Sequence, residues 1–552
     1  MGTRFLAMAV LAGSALGAIV PAHAALVISN AATKNVNCAA DVCTATAKNA
    51  VLNASQLETM LGTSDATVNT GGGAVTIGIT SPLTWASTSR LTLNASQGVS
   101  VKAAVVVEGT GAITIAAAGG ALNFYPGGSI DFWDNTSSLI IGGHSYTLVS
   151  DLATLASKIG ADSSGYYALA KNHDASGETY SDAVVTGTLD GTFEGLGNTI
   201  SNLDMNPFDP TTVGLFSEVS TTGIVRDFVL EASMDCDPAD NAAYEAGLVA
   251  GENNGQIRNI VVSGSISCIR ARDAGGAVGD NIAPGMISNV VADVGMSPGK
   301  MHYVGGLAGA NSGTILNSSA SGSVAGASAG GLVGWSTGTV QDSHASGHVS
   351  NSNGYDLGGL AGIASGTIRR CFATGTINGR KLTGGLVGSA GSLTIDSSFA
   401  TGSASGLLNA GGLVGGTGNA SVVVINSYAR GASTATSPKA GYAGGLVGSK
   451  SFGSMTTSYS TGAPNGAKDT GGTIGHVVNA PTMTNIYWDL DTSGISDPSK
   501  AVGNQADYPG IAGLTDAQLK SGLPSGFDPA IWGQSPGIND GYPYLLANPP
   551  PQ

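Results

Sequence analysis

Histidine, serine and carboxylate side chains could give this chain hydrolytic or metal-assisted chemistry, but their spacing does not assemble a site. The histidines beyond residue 24 are His144, His173, His302, His344, His348 and His476, and no HExxH occurs. His344 and His348 stand four apart, a spacing that pairs metal ligands on a helix but not on an extended segment. Two G-x-S-x-G strings, Gly326–Gly330 and Gly334–Gly338, lack the strand-to-helix elbow that activates such a serine. Asp489–Gly494 opens like a calcium loop, yet Lys500 stands where the closing glutamate is needed, so a turn is expected. Carboxylates such as Glu231 and Asp235 do not recur, and the phosphate-loop pattern is absent. No catalytic residue, metal ligand or cofactor is expected.

The elements that would position any site are repeats. GGLVG stands at Gly330–Gly334, Gly384–Gly388, Gly411–Gly415 and Gly444–Gly448, with looser copies from Val213 to Gly475 that begin 25 to 33 residues apart. Self-similarity of that length means stacked units that bury their apolar side only against a neighbour. A second block, G-T-I-x-N-S-x-A-x-G, aligns without gaps in ten copies that begin at Gly223, Gly255, Gly285, Gly313, Gly338, Gly366, Leu393, Val422, Gly453 and Pro481. Its third column, Val225 to Met483, is apolar in every copy and must face a core. The sixth and eighth columns share that side; they are large in Phe228, Leu230, Ile260 and Val262 and mostly Ser and Ala later. The fifth column, rich in Asn and Asp, suits a tight turn and hydrogen bonds from coil to coil.

Short strands with Gly and Asn corners predict an all-β fold, a right-handed parallel β-helix. Its ten repeat coils, at about 4.8 Å each, make a rod on the order of 50 Å long. The expected organisation is a signal peptide over residues 1–24, a β-rich irregular solenoid over 25–143, and a transition over 144–192. The repeats would follow over 193–490 and a cap or strand-side cover over 491–552. In the transition Ser150 is expected to cap a helix over Asp151–Ile159 that Gly160 stops. A second short helix is expected at Thr515–Lys520, and residues 547–552 are expected to fray.

Arg4, the apolar stretch Phe5–Val20 and the small-x-small Ala22-His23-Ala24 suit export, with a mature chain starting at Ala25. Beyond it no apolar run reaches the length of a membrane helix. Of 552 residues 85 are Gly, and only 11% are charged, with a net charge of −15 and no run of Lys or Arg. That balance excludes disorder and argues against nucleic acid or anionic lipid as a partner.

GGLVG followed by I-x-N-S-[YF]-A-x-G, plainest at Gly411–Gly431 and Gly384–Gly402, resembles the GLUG repeat of bacterial surface and secreted proteins. The wider text, including Tyr146–Val149, Gly165–Ala170, Phe193–Asn202, Tyr487–Gly494, Gly513–Leu519 and Gly541–Leu545, is similar to filamentous-haemagglutinin-like adhesins. The resemblance implies surface location and adhesion to a glycan, cell-surface or matrix protein. A monomeric, non-enzymatic rod is therefore expected; a β-helical polysaccharide lyase or glycosidase, or a biofilm matrix component, is the alternative.

Two expectations concern named residues. Cys38 and Cys43 suit a small loop disulfide; Cys236 and Cys268 fall in one column of adjacent coils, about 5 Å apart, and should be bridged. Cys371, in the inward sixth column, should be a buried free thiol. The seventh column ends in five aromatics, Phe372, Phe399, Tyr428, Tyr459 and Tyr487, facing out of the coil. Either this ladder is a recognition stripe for sugar rings or a partner strand, or the rings stack under Phe527, Trp532 and Tyr542 of the tail.

Overall fold

Two corners, repeated coil after coil, make this fold. The structure, a computed structural model, describes residues 24–117, 121–207, 211–236, 244–268, 271–297 and 302–551. About 17 parallel coils stack into a β-solenoid. The expected signal segment lies outside the described residues except for Ala24.

GGLVG is the first corner. One strand closes on its first glycine, as in Ser328–Gly330, and the next opens on its valine, as in Val333–Ser336. The leucine between them turns inward: Leu332, Leu360, Leu386, Leu413 and Leu446 are all fully buried. Successive leucines bond coil to coil, Leu332 N–H to Leu360 O at 2.9 Å and Leu360 N–H to Leu386 O at 2.8 Å. The second glycine is required by the next coil, because a Cβ on Gly331 would lie 2.2 Å from Gly359 O.

The second corner is the fifth column of the other block. All ten residues there, from Asp227 to Asn485, have positive φ, between 45° and 64°. Asn and Asp tolerate that region; Thr457 and Arg370 occupy it only because the stack above and below holds them there. Their side chains form the expected ladder: Asn259 Nδ2 donates to Asp227 Oδ1 at 2.8 Å, and Asn289 Nδ2 to Asn259 Oδ1 at 3.0 Å. Further on, Arg370 Nη2 donates to Asp342 Oδ2 at 2.7 Å.

Between the corners lie flat sides. The strands preceding each GGLVG leucine form a ten-stranded parallel sheet from Thr212–Val213 to Asp469–Gly471. A five-stranded sheet from Val349–Ser350 to Pro464–Gly466 adds a further side to the later coils.

The N-terminal region stacks in parallel too, with Ala25–Ser29 held between Ala50–Asn53 and Thr76–Ile79. It contains a helix that strand-like text concealed, α1 at Ala54–Leu61, capped by Asn53 and burying Leu57 and Leu61. The two stacks join directly, for Phe132 N–H donates to Ala170 O at 2.6 Å and Ile130 N–H to Leu196 O at 2.9 Å. The transition helix, α2, runs over Leu152–Ala161. Asp151, not Ser150, caps it, its Oδ1 accepting Thr154 N–H at 2.7 Å, and Gly160 continues the helix rather than stopping it.

At the C-terminal end Ile511–Leu514 adds a strand to Thr482–Asp489. Helix α3, Asp516–Lys520, starts at a Thr515–Gln518 capping box as the sequence signals. The chain then returns along the outside of the coils. Within the segment expected to fray, Asn548 is instead buried and donates to Cys371 O at 3.2 Å and Ser397 O at 3.0 Å.

Candidate functional site

Placed on these coils, four of the five aromatics of the seventh column form a stacked ladder, and Tyr487, next in register, packs edge-on against Phe527 of the tail. Phe372, Phe399, Tyr428 and Tyr459 stack with centroids 4.7 to 5.1 Å apart and planes within 7° of parallel, and His344 extends the stack below Phe372 at 4.5 Å. The ladder is not an open stripe. Phe399, Tyr428, Tyr459 and Tyr487 are buried beneath Leu519, Phe527, Trp532, Tyr542 and Leu545 of the returning tail, while Phe372 is half-buried at the edge. Of the two arrangements that the column allows, the tail takes the rings, because stacked rings left in water forfeit the burial that a nearby apolar segment can supply.

Polar contacts lock this seam. Tyr459 Oη donates to Pro543 O at 2.5 Å and accepts from Asn539 Nδ2 at 2.9 Å, and Arg430 Nη2 pairs with Asp540 Oδ2 at 2.7 Å. Asp489, from the calcium-like string, is fully buried: its Oδ1 accepts Asp491 N–H at 2.8 Å and its Oδ2 accepts Tyr542 O–H at 3.1 Å. It is a turn that also anchors the tail.

The other chemistry-bearing residues stay apart. His344 is absorbed into the ladder, where burial lowers its pKa, whereas His348 Nδ1 meets Thr376 Oγ1 at 2.6 Å. Ser328 and Ser336 of the G-x-S-x-G strings are buried on strands. Cys38 pairs with Cys43 across a hairpin, and Cys236 with Cys268 from coil to coil, with Cα atoms 4.6 Å apart. Cys371 is a free, buried thiol whose pKa burial pushes up to about 12.

Among the concave surfaces that the sequence does not reveal, two bring aromatic and charged side chains together. The first, about 640 Å³, is lined by Tyr303, Tyr355, Asp356 and Lys381 among others. Tyr303 stacks on Trp335 at 5.7 Å, and Lys381 Nζ lies 4.0 Å from the centre of the Tyr355 ring, which is 45% exposed. The second, about 590 Å³, lies where the two stacks join and is lined by His144, Tyr146, Tyr166, Arg226 and Arg258 among others. Beneath it Arg226 Nε stands 2.7 Å from Glu194 Oε2 and 3.6 Å from Asp227 Oδ2. Burial, with Asp227 nearby, pushes the Glu194 carboxyl well above the usual range. Neither surface was legible because each draws on residues from several coils at columns that vary.

Residues 353–378 match the family described as the GLUG motif. Over 137 residues, 24% of the chain, the sequence is 34% identical to halomucin of Haloquadratum walsbyi (strain DSM 16790 / HBSQ001), of whose length the match spans 1%. A solved structure from Bacteroides ovatus, described as that of a candidate immunoglobulin A1 protease, aligns over 73% of this chain and 92% of its own. Its identity is 15% and its TM-score 0.22. Among the described residues no helix is long and apolar enough to cross a membrane.

Proposed function

We propose that this chain is an exported, adhesin-like surface protein of the filamentous-haemagglutinin kind, a non-enzymatic rod that binds glycans, cell-surface or matrix proteins. The observation that carries this reading is the open surface of Tyr303, Tyr355 and Lys381, with Trp335 stacked on Tyr303 beside it. Aromatic faces flanked by Asp356 and a cation suit the apolar face and hydroxyl rim of a sugar. The GLUG repeat and the partial likeness to halomucin support a surface setting. A rod that repeats similar surfaces gains binding strength from many weak contacts. Purified Ala25–Gln552 should bind cells or an arrayed glycan, and Trp335→Ala should weaken that binding about tenfold with melting unchanged. Full binding by Trp335→Ala would move the site elsewhere, and no binding by the wild type would sink the reading.

The runner-up, a carbohydrate-cleaving enzyme, draws on the Glu194–Arg226–Asp227 group, which sets two carboxyls whose pKa burial raises beside a guanidinium. Turnover of acidic or neutral polysaccharides that survives repurification and vanishes in Glu194→Gln would favour it.

A further inference from the structure

The cleft at the joint of the two stacks is the place where coiling is interrupted. Ser138–Ile141 turns back as an antiparallel hairpin with His144–Val149, and parallel stacking resumes at Tyr166–Leu169. That reversal leaves a hollow of about 590 Å³, within the roughly 300–1,000 Å³ usual for ligand pockets.

Two arginines line its floor in a chain whose net charge is −15, with the carboxyls of Glu194 and Asp227 against Arg226. Arg226 and Arg258 are register partners on adjacent coils, so their side chains leave the same sheet face side by side. Arg226 is matched by Glu194 and touches the Tyr146 hydroxyl at 3.5 Å. Arg258 makes no ion pair among the described residues; its Nε, like that of Arg226, is buried with no hydrogen-bond partner, and Asp227 is the carboxyl that feels its charge. The Arg258 guanidinium lines the cleft without an ion-pair partner among the described residues, so an anion entering the cleft could pair with it through charge-assisted hydrogen bonds. Over it stands an aromatic wall, His144 stacked on Tyr166 at 4.3 Å and 16°, with Tyr146 edge-on to Tyr166 at 5.4 Å. Asp190, the acidic residue at the rim, already accepts a hydrogen bond from Ser163 Oγ at 2.6 Å.

We propose that this cleft binds an acidic sugar residue, its carboxylate or sulfate on Arg258 and its ring face against the His144–Tyr166 stack. One guanidinium without an ion-pair partner suits a single anion; a polyanion such as nucleic acid needs a basic stripe that this surface lacks. The choice of a saccharide rests on the adhesive reading, but the site does not overlap the Tyr303–Trp335 surface.

The test is calorimetric titration of the mature chain at low salt with tetragalacturonate, its methyl ester, and a sulfated carrageenan tetrasaccharide. At least one anionic probe should bind, the methyl ester at least tenfold more weakly than the free acid if carboxylate is the anion recognised. Which anionic probe binds identifies carboxylate or sulfate. Arg258→Ala and Arg258→Gln should each lower that affinity at least tenfold, with melting unchanged. Failure of both anionic probes, binding of the methyl ester equal to that of the acid, or unchanged affinity in both variants would overturn the proposal. Cell or array binding that persists in Arg258→Ala separates this site from the adhesive one. A wild type that binds a tetrasaccharide but no cell, matrix protein or arrayed glycan defeats the adhesive reading alone.

Discussion

Early and late repeat coils bury apolar surface in opposite directions. In the early coils the second block is one long strand, Ile224–Cys236, Gln256–Cys268 or Met286–Met296, and its bulk points inward through Phe228, Leu230, Ile260, Val262 and Val290. Its outward column is valine, with Val291 46% exposed. In the later coils the strand breaks into pieces such as Phe399–Ala400 and Tyr428–Ala429 before running unbroken again over Phe452–Ser460 and Thr482–Asp489; the inward column is Cys371, Ser398, Ser427 and Ser458 until Ile486 closes it, and the bulk has moved outward as rings beneath the tail. A coil that thins its inside must find apolar burial elsewhere. The tail supplies it.

The thin inside is bonded from coil to coil by hydroxyls. Ser398 Oγ accepts Cys371 N–H from the preceding coil at 3.1 Å and donates to Asp396 O at 2.8 Å; Ser427 and Ser458 repeat the pattern one coil further on each time. Each serine thus repairs the backbone bonding that the left-handed fifth residue interrupts. Cys371 fills the same role, its Sγ 3.2 Å from Arg369 O, which explains a thiol in a serine column.

The contrast is broken most directly at the seventh column. Tyr428→Ala, in the middle of the covered ladder, should cost about 3–5 kcal/mol, whereas Val291→Ala in the same column of an early coil should stay within about 0.5 kcal/mol. Denaturant unfolding of the two variants measures both. Similar losses would mean that the tail seam contributes no more than an open surface. Tyr428 sharpens the point, because its buried hydroxyl has no hydrogen-bond partner among the described residues. Tyr428→Phe should therefore be neutral or stabilising.

A smaller effect tests the hydroxyl column. Ser398→Ala strands the buried N–H of Cys371 and should cost about 1–3 kcal/mol; Cys371→Ser replaces one donor by another and should cost less than about 1 kcal/mol. If the two substitutions cost the same, the column is packing alone.

Much of this was readable residue by residue. The fifth column announced its turn because Asn and Asp recur where side-chain carbonyls can stack, and Cys236 with Cys268 announced the register because only coil-to-coil neighbours bring them within reach. The direction of the aromatic column was readable from alternation; its cover was not, since a sequence with no repeat after Asp491 does not say onto which side the tail folds. The cleft at the joint was hidden for a similar reason. Tyr146, Tyr166, Arg226 and Arg258 belong to separate segments that only the hairpin reversal brings together. Helix α1 carried an ordinary signal, Asn53 before Leu57 and Leu61 at helical spacing, and was obscured by the strands around it.

The smallest effect lies in the GGLVG strands, where the early coils stack charge and the late ones do not. Glu218, Glu252 and Asp280 are register partners, and the column continues as Ala310, Trp335, Ile363 and Ser389. Burial, then repulsion from Asp273, pushes Asp280 up to about 6, with Glu245 and Glu252 adding to the rise. Arg272, the cation facing it, is 4.0 Å away and is held by Glu245 and by Asp273 at 2.8 Å. Because the folded pKa exceeds the unfolded value near 3.8, the folded chain holds a proton in that interval that the unfolded chain has released. The stability this group contributes is complete below about pH 4 and is lost as pH rises through about 6. Asp280→Asn removes the titration. It should raise the melting temperature at pH 7 by about 2 °C and leave it nearly unchanged at pH 4, flattening the slope between. A variant that melts lower than wild type at pH 7 would show that Arg272 neutralises the column after all, and that early and late coils differ in bulk but not in electrostatic strain.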